Sequence, residues 1–163
     1  MKSQPTQQNQ TGYYRLLKLF NYLSLCKKIK KNEGYKNVSY PDQLGYPTIG
    51  YGHLIKKNEK KLFKKKYSKQ YLNKIFIHDL NNAIIDFKKN YNPNKIPNHI
   101  QEILIEMIFQ LGIKNVLKFK KFNFHLRQKK YYLAALEMLD SRWYLQTPKR
   151  VEKHITALLF HDK

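Results

Sequence analysis

Apolar residues recur every three or four positions in four parts of the chain, and this spacing predicts four helical segments. The first segment ends at Gly34, and the second follows Ser68, a residue type that often caps helices. Pro93 and Pro97 separate the second segment from the third, and Pro148 opens the final helix. The apolar stripes cover Leu16–Ile29, Leu72–Phe87, Ile100–Leu111 and about Tyr131–Phe160.

The segment Tyr35–Leu54 differs in composition, since it is rich in Tyr, Val, Ile and Thr and contains Pro and Gly at intervals. It predicts a short antiparallel hairpin or meander, with a tight turn near Asp42–Gly45 and a strand through Tyr46–Leu54. The fold class expected from these elements is α+β and mostly helical. A small β-containing lobe precedes a long helix and a helical C-terminal lobe, and a cleft between the lobes is the expected ligand site.

The predicted domain organisation is a flexible polar tail over residues 1–12 and one domain over residues 13–163. Within the domain, residues 13–68 form the N-terminal lobe, 69–90 the connecting helix and 91–163 the helical lobe.

Charge is the unusual feature of the composition, since 32 Lys and Arg oppose 11 Asp and Glu for a net charge of +21. Such a surface favours polyanionic partners: nucleic acid, anionic lipid or an anionic cell wall. No apolar run approaches the roughly 20 residues of a membrane span. Nor is there a recognisable signal peptide, so we expect a protein made in the cytoplasm.

Of the eleven acids, only Glu33 and Asp42 come before Glu59. Glu33 continues the apolar stripe of the first helix and lies in its last turn, so burial and the helix dipole should both raise its pKa. Asp42 lies in a turn and should stay ionised. One protonated and one ionised carboxyl group are typical of an acid and base pair, and of glycoside hydrolysis in particular. The spacing alone is equally compatible with a solvated Glu at a helix end and an Asp that forms an Asx turn.

The spacing around these acids resembles the catalytic segment of the phage-type lysozymes, the muramidases of glycoside hydrolase family 24. Eight residues separate Glu33 from Asp42 and five separate Asp42 from Thr48, within NEG…PDQLGYPTIGYGHL. MIFQLG at Met107–Gly112 and SRWYLQTPKR at Ser141–Arg150 follow in the family's order. The resemblance implies a lysozyme-like, two-lobed fold.

It also implies a function: hydrolysis of the β-1,4 bond between N-acetylmuramic acid and N-acetylglucosamine in bacterial peptidoglycan, with inversion. Glu33 would be the general acid, Asp42 would polarise the attacking water and Thr48 would hold that water. Leu54, Phe109 and Gln110 match positions that line the saccharide groove. No cofactor or metal is expected. The implied enzyme is a monomeric endolysin that acts on the wall after release.

Other residues receive structural interpretations. Trp143 and Cys26 are expected in the core, and His53 is expected to be hydrogen-bonded to the second helix. The remaining histidines lack the pairing with acids or cysteines that a metal site requires.

Three alternative functions stay open at this point. The lysine-rich run Lys56–Lys66 is compatible with nucleic-acid binding. The basic amphipathic segment Tyr13–Lys31 is compatible with membrane activity. A lysozyme-like fold that binds without catalysis is the third.

Overall fold

The structure is a computed structural model that describes residues 22–42, 45–63 and 65–160. The predicted tail over residues 1–12 and the beginning of the predicted first helix lie outside the described residues. The described chain divides into two compact units, one that ends at Asn73 and one that begins at Lys74.

The first described element is helix α1, Leu23–Glu33. Leu25, Cys26 and Ile29 are buried and form its inner face, as the apolar spacing predicts. Burial raises the pKa of the Cys26 thiol, which agrees with a core position. Gly34 ends the helix with a φ of 70°, a conformation that residues with a side chain rarely adopt. Glu33 is therefore the last helical residue before the sheet.

Three short strands form an antiparallel sheet in the order β1-β2-β3. They are β1 (Lys36–Pro41), β2 (Pro47–Gly50) and β3 (His53–Leu54). The predicted tight turn joins β1 to β2, because the Gly45 N–H donates to the Asp42 carbonyl at 3.0 Å. Asp42 thus lies directly beside the last residue pair of the hairpin, Pro41 and Pro47.

The expected single strand through Tyr46–Leu54 is wrong. The chain reverses after Gly50, so β2 and β3 are separate strands that pair with each other. Gly50 and Gly52 permit this reversal because their φ angles are 68° and 82°. Thr48 and Leu54 still share a face of the sheet, since they are directly paired across the new hairpin.

A 3-10 helix at Lys57–Leu62 precedes the long helix α2, Lys69–Asn90. Ser68 caps α2 as predicted, since its Oγ accepts the N–H of Tyr71 at 3.2 Å. The boundary between the two units falls inside α2, after Asn73. The buried stripe of α2 contains Leu72, Phe76, Leu80, Ala83, Ile84 and Phe87.

In the second unit, the described chain continues from α2 through a 3-10 turn at Pro93–Lys95 into six α-helices. They are α3 (Asn98–Leu111), α4 (Ile113–Lys118), α5 (Lys120–Arg127), α6 (Tyr131–Leu139), α7 (Arg142–Gln146) and α8 (Pro148–Leu159). Pro148 is the first residue of α8, as predicted. The core of this unit includes the fully buried Ile103, Leu104, Met107, Phe122, Met138 and Val151.

The core also contains Trp143, whose ring stacks on that of the buried His154 with centroids 5.4 Å apart. This confirms the expected packing role of Trp143. Helices dominate the described residues and the sheet is small, so the predicted α+β, mostly helical class is confirmed. Of the helices described, none combines the length and the apolar character needed to cross a membrane.

Candidate active site

Glu33 presents its carboxyl group to the turn between β2 and β3. Its Oε1 atom is buried, as expected for a side chain that closes an apolar helix face. A Cβ atom added to Gly52 would lie 3.0 Å from Glu33 Oε2, closer than real side chains normally approach. The missing side chain at Gly52 therefore leaves the space that this carboxyl group occupies.

Asp42 is fixed by the backbone of the hairpin turn. Its Oδ1 atom accepts the N–H of Tyr46 at 2.8 Å, and its own N–H donates to the Tyr46 carbonyl at 2.8 Å. Asp42 as a whole is half-buried. A carboxylate that caps its own turn has little rotational freedom, so its orientation is set before any ligand arrives.

Thr48 lies on β2, buried and paired with Tyr40 on β1. Its hydroxyl donates to the Tyr46 carbonyl at 3.1 Å, the same oxygen that accepts the Asp42 N–H. Because the hydroxyl proton is used in this bond, its lone pairs are the part available to a water molecule. The Tyr46 backbone thus connects the candidate base and the candidate water-holding hydroxyl.

Tyr40 is a site residue that sequence reasoning missed. Burial, followed by the negative charges of Glu33 and Asp42, raises the pKa of its phenol. The Lys36 Nζ atom lies 4.3 Å from the centroid of its ring. The electrostatic effect of both carboxylates shows that each lies within range of this phenol. Strand alternation offers a signal in retrospect, since Tyr40 stands two residues before Asp42.

His53 packs against the 3-10 segment. Its Nε2 atom lies 3.2 Å from Glu59 Oε2, so one partner of His53 belongs to this segment, and the expected hydrogen bond to the second helix stays a prediction. Glu59 Oε2 also accepts the N–H of Lys56 at 3.0 Å. Burial opposes ionisation of Glu59, but the Lys56 N–H and the His53 side chain outweigh it and lower the pKa of Glu59. The pair anchors the segment that follows β3.

The remaining predicted residues fall in different units. Leu54 is exposed on β3, in the first unit, opposite Thr48. Phe109 and Gln110 lie on α3, in the second unit. The ring of Phe109 meets that of the buried Phe76 at 5.6 Å, so part of its role is packing.

The side-chain amide of Gln110, in the second unit, is buried without a hydrogen-bond partner among the described residues. This holds for both its Nε2 and its Oε1 atom. Such a group is rare in a folded protein, because burial without a partner costs roughly 1–3 kcal/mol. An external ligand that hydrogen-bonds to the amide would remove this cost.

No metal site is evident in the described ranges, where no group of three or more His, Cys, Asp or Glu side chains could hold a metal ion. The groups at the site are carboxyl, hydroxyl and phenol oxygens. Their arrangement suits proton transfer and the activation of water.

The chain is similar to several known proteins. A family model described as phage lysozyme matches residues 30–157, a range that includes all six predicted site residues. The chain is 34% identical to the probable T4-type lysozyme 2 of Dictyostelium discoideum, over 82% of this chain and 92% of that protein. It is 31% identical to the probable T4-type lysozyme 1 of the same organism, over 83% and 93%.

A third relative is the pre-baseplate central spike protein Gp5 of Enterobacteria phage T4. Its identity to this chain is 28%, over 84% of this chain but only 28% of the relative. The match thus corresponds to a small part of that phage protein.

The Glu59 interaction predicts a pH-dependent stability. Because the pKa of Glu59 lies below its usual 4.5 in the folded protein, the ionised carboxylate stabilises the fold above about pH 4.5. That stabilisation is lost as the pH falls through the lowered value. We expect Glu59→Gln to cost about 1 kcal/mol at pH 6–7 and progressively less below pH 4. Thermal unfolding of both proteins across this range measures the difference. A difference that stays constant down to pH 2 would contradict the linkage.

Proposed function

The chain belongs to the phage lysozyme family, and from this we propose that it hydrolyses the β-1,4 bond between N-acetylmuramic acid and N-acetylglucosamine in bacterial peptidoglycan. Membership makes it a glycoside hydrolase of the lysozyme type. The observation that supports the proposal most directly is the placement of three oxygen-bearing side chains, Glu33, Asp42 and Thr48, in one unit.

Glu33 is the proposed general acid. One of its carboxyl oxygens is buried and the group ends a helix, where the negative end of the dipole disfavours a second negative charge. Both effects act over a few ångströms, and both favour the protonated form of the Glu33 carboxyl group. The proton goes to the glycosidic oxygen as the bond to the anomeric carbon breaks, so the leaving sugar departs as a neutral alcohol.

Asp42 and Thr48 are the proposed water-activating pair. The water donates one proton towards the Asp42 carboxylate and the other to the lone pairs of Thr48 Oγ1. The Thr48 proton is already engaged by the Tyr46 carbonyl. Attack on the anomeric carbon transfers the first proton to Asp42. Protonation of Glu33 by solvent and loss of the Asp42 proton restore the starting state.

Substrate contacts are the third part of the proposal. Within the first unit, the exposed Leu54 supplies apolar surface for a sugar ring. Within the second unit, Phe109 supplies apolar surface and the buried Gln110 amide supplies hydrogen bonds. The net charge of +21 favours association with the anionic wall. The proposed enzyme is an endolysin-type monomer, made in the cytoplasm and acting on the wall after release.

We expect Glu33→Gln to abolish wall clearing while the protein stays folded. Glutamine has the shape of glutamate but cannot donate the required proton, and general acid catalysis contributes about 10²–10⁴-fold. The measurement is the rate of clearing of a peptidoglycan suspension. Glu152→Gln, the same change at an exposed glutamate of α8, is the control and should clear at the rate of the unmodified protein.

A Glu33→Gln protein that melts cooperatively and clears walls normally would contradict catalysis by Glu33. That result would favour the alternative of a cationic, membrane-active protein. Strong, salt-sensitive DNA binding without clearing by the unmodified chain would favour nucleic-acid binding instead.

The contact between Gly52 and Glu33 gives a matched pair of variants. Gly52→Ala and Gly50→Ala both force a side chain into a positive φ, so each should cost about 1–3 kcal/mol of stability. Only the Gly52 methyl group meets Glu33, at 3.0 Å, whereas the Gly50 methyl group would touch Leu72 at an ordinary 3.5 Å. We expect about 10²-fold lower kcat for Gly52→Ala and near-normal kcat for Gly50→Ala, measured below both Tm values. Equal activity losses would show that strain, not the position of the carboxyl group, limits the rate.

The proposed mechanism inverts the anomeric carbon, because the water attacks from the side opposite the leaving group. Cleavage of a β-linked oligosaccharide should therefore release the α anomer first. Proton NMR of the first turnovers, recorded before mutarotation, identifies the anomer. A β anomer would reassign Asp42 as a nucleophile and leave Glu33 as the acid.

A further inference from the structure

Helix α6 has an apolar face that the described residues leave exposed. Its buried side consists of Ala134, Ala135 and Met138. The opposite side carries four large apolar residues, and the most exposed of them, Tyr132, is 66% accessible. The four are Tyr132, Leu133, Leu136 and Leu139, a spacing that gathers them on one helix face. A soluble helix usually presents polar residues there, so this face is suited to a partner.

The chain that leads into α6 is strongly basic. Between Glu106 and Glu137 the sequence contains no acid, but it contains seven cationic residues. They are Lys114, Lys118, Lys120, Lys121, Arg127, Lys129 and Lys130. Each of the seven is exposed. Lys129 and Lys130 directly precede α6, so a partner of its apolar face has to tolerate, or attract, positive charge at the N-terminal end of this helix.

Helix α5, like α6 and the chain before it, has an exposed apolar side chain near exposed lysines. It packs against α6 and buries Phe122 and Leu126 on its inner side. Phe124 points outward and is exposed, with Lys120 and Lys121 one turn earlier. An exposed aromatic ring among lysines is typical of surfaces that lie in the interface of a membrane.

We propose that the α5–α6 surface binds anionic lipid bilayers peripherally. The apolar face of α6, with Phe124 of α5, enters the boundary between headgroups and acyl chains, while the surrounding lysines contact lipid phosphates. This binding goes beyond wall hydrolysis. None of the residues proposed for catalysis lies on α5 or α6.

Charge complementarity favours lipid over the other occupants. A second copy of the chain would also carry a net charge of +21. Electrostatic repulsion between the two copies therefore disfavours self-association through this face. Nucleic acid would neutralise the lysines, and its bases would stack on Tyr132 and Phe124. It would leave the aliphatic side chains of Leu133 and Leu136 in water. An anionic bilayer accommodates both the positive charge and the aliphatic side chains.

The experiment uses the full chain and two kinds of vesicle at about 0.1 M salt. One is pure phosphatidylcholine, and the other contains equal parts of phosphatidylcholine and phosphatidylglycerol. Co-sedimentation gives the partition coefficient. We expect clear binding to the anionic vesicles and at least tenfold weaker binding to the neutral ones. Equal binding to both, or no binding to the anionic vesicles, would overturn the proposal.

Two pairs of variants separate the apolar contribution from the electrostatic one. Leu136→Glu should weaken binding to anionic vesicles at least tenfold, whereas Ile85→Glu should weaken it no more than about twofold. The two positions match, since Leu136 is 43% exposed and Ile85, on α2, is 46% exposed. The double change at Lys129 and Lys130 to Gln should cost about thirtyfold, because each lysine near an anionic surface contributes about fivefold. The same double change at Lys88 and Lys89, exposed at the end of α2, is its control.

If Leu136→Glu and Ile85→Glu weaken vesicle binding equally, the loss is due only to the added negative charge, and the proposed role of the α6 face is overturned. Dimerisation of the unmodified chain in sedimentation velocity, abolished by Leu136→Glu, would assign the face to a second copy instead. Cleavage of a soluble oligosaccharide should be the same for all four variants. Vesicle binding does not require catalysis, so a failure of the proposed enzymatic function would leave this test intact.

Discussion

The candidate site depends on the packing of one carboxyl group against a position that has no side chain. Glu33 closes α1, and the turn after β2 comes so near to it that a methyl group at Gly52 would lie 3.0 Å from its carboxyl oxygen. This contact requires three local features together: the helix must stop at Gly34, the sheet must reverse after Gly50, and the reversal must contain a second glycine. Each positive φ costs little for glycine and more for any other residue. The space for this carboxyl group thus depends on the backbone geometry of the two turns.

The second half of the site is organised around a single backbone residue. Tyr46 donates its N–H to the Asp42 carboxylate, and its carbonyl accepts both the Asp42 N–H and the Thr48 hydroxyl. These bonds are local, since they span at most four residues, and they form as soon as the β1–β2 hairpin forms. A hairpin turn therefore fixes the carboxylate and the hydroxyl with respect to each other. Preorganisation of this kind lowers the cost of holding a water molecule in a reactive orientation.

Local signals in the sequence predicted the helices and the turn between β1 and β2, whereas longer-range contacts were missed. Apolar periodicity found α1 and α2 because burial repeats along a single helix face. The split of the expected strand was missed because glycines fit both an open strand and a reversal, and only the pairing of Thr48 with Leu54 distinguishes them. The partner of His53 depends on the path of the chain through the 3-10 segment to Glu59, which has no periodic signature. The family resemblance named Gln110, but neither periodicity nor composition could show that both of its polar atoms are buried.

The scarcity of acids links the site to the charge of the whole molecule. At +21, the protein exerts a positive potential that attracts anions to its surface. A proposed general acid has to keep its proton against that potential. Salt screens the long-range field over about 8–10 Å, whereas burial and the helix end act on Glu33 within a few ångströms. In the proposed mechanism, retention of the Glu33 proton depends on these short-range effects, whereas the long-range field acts on partners. This separation allows a surface with many lysines to attract anionic walls and lipids without removing the proton that the proposed chemistry needs.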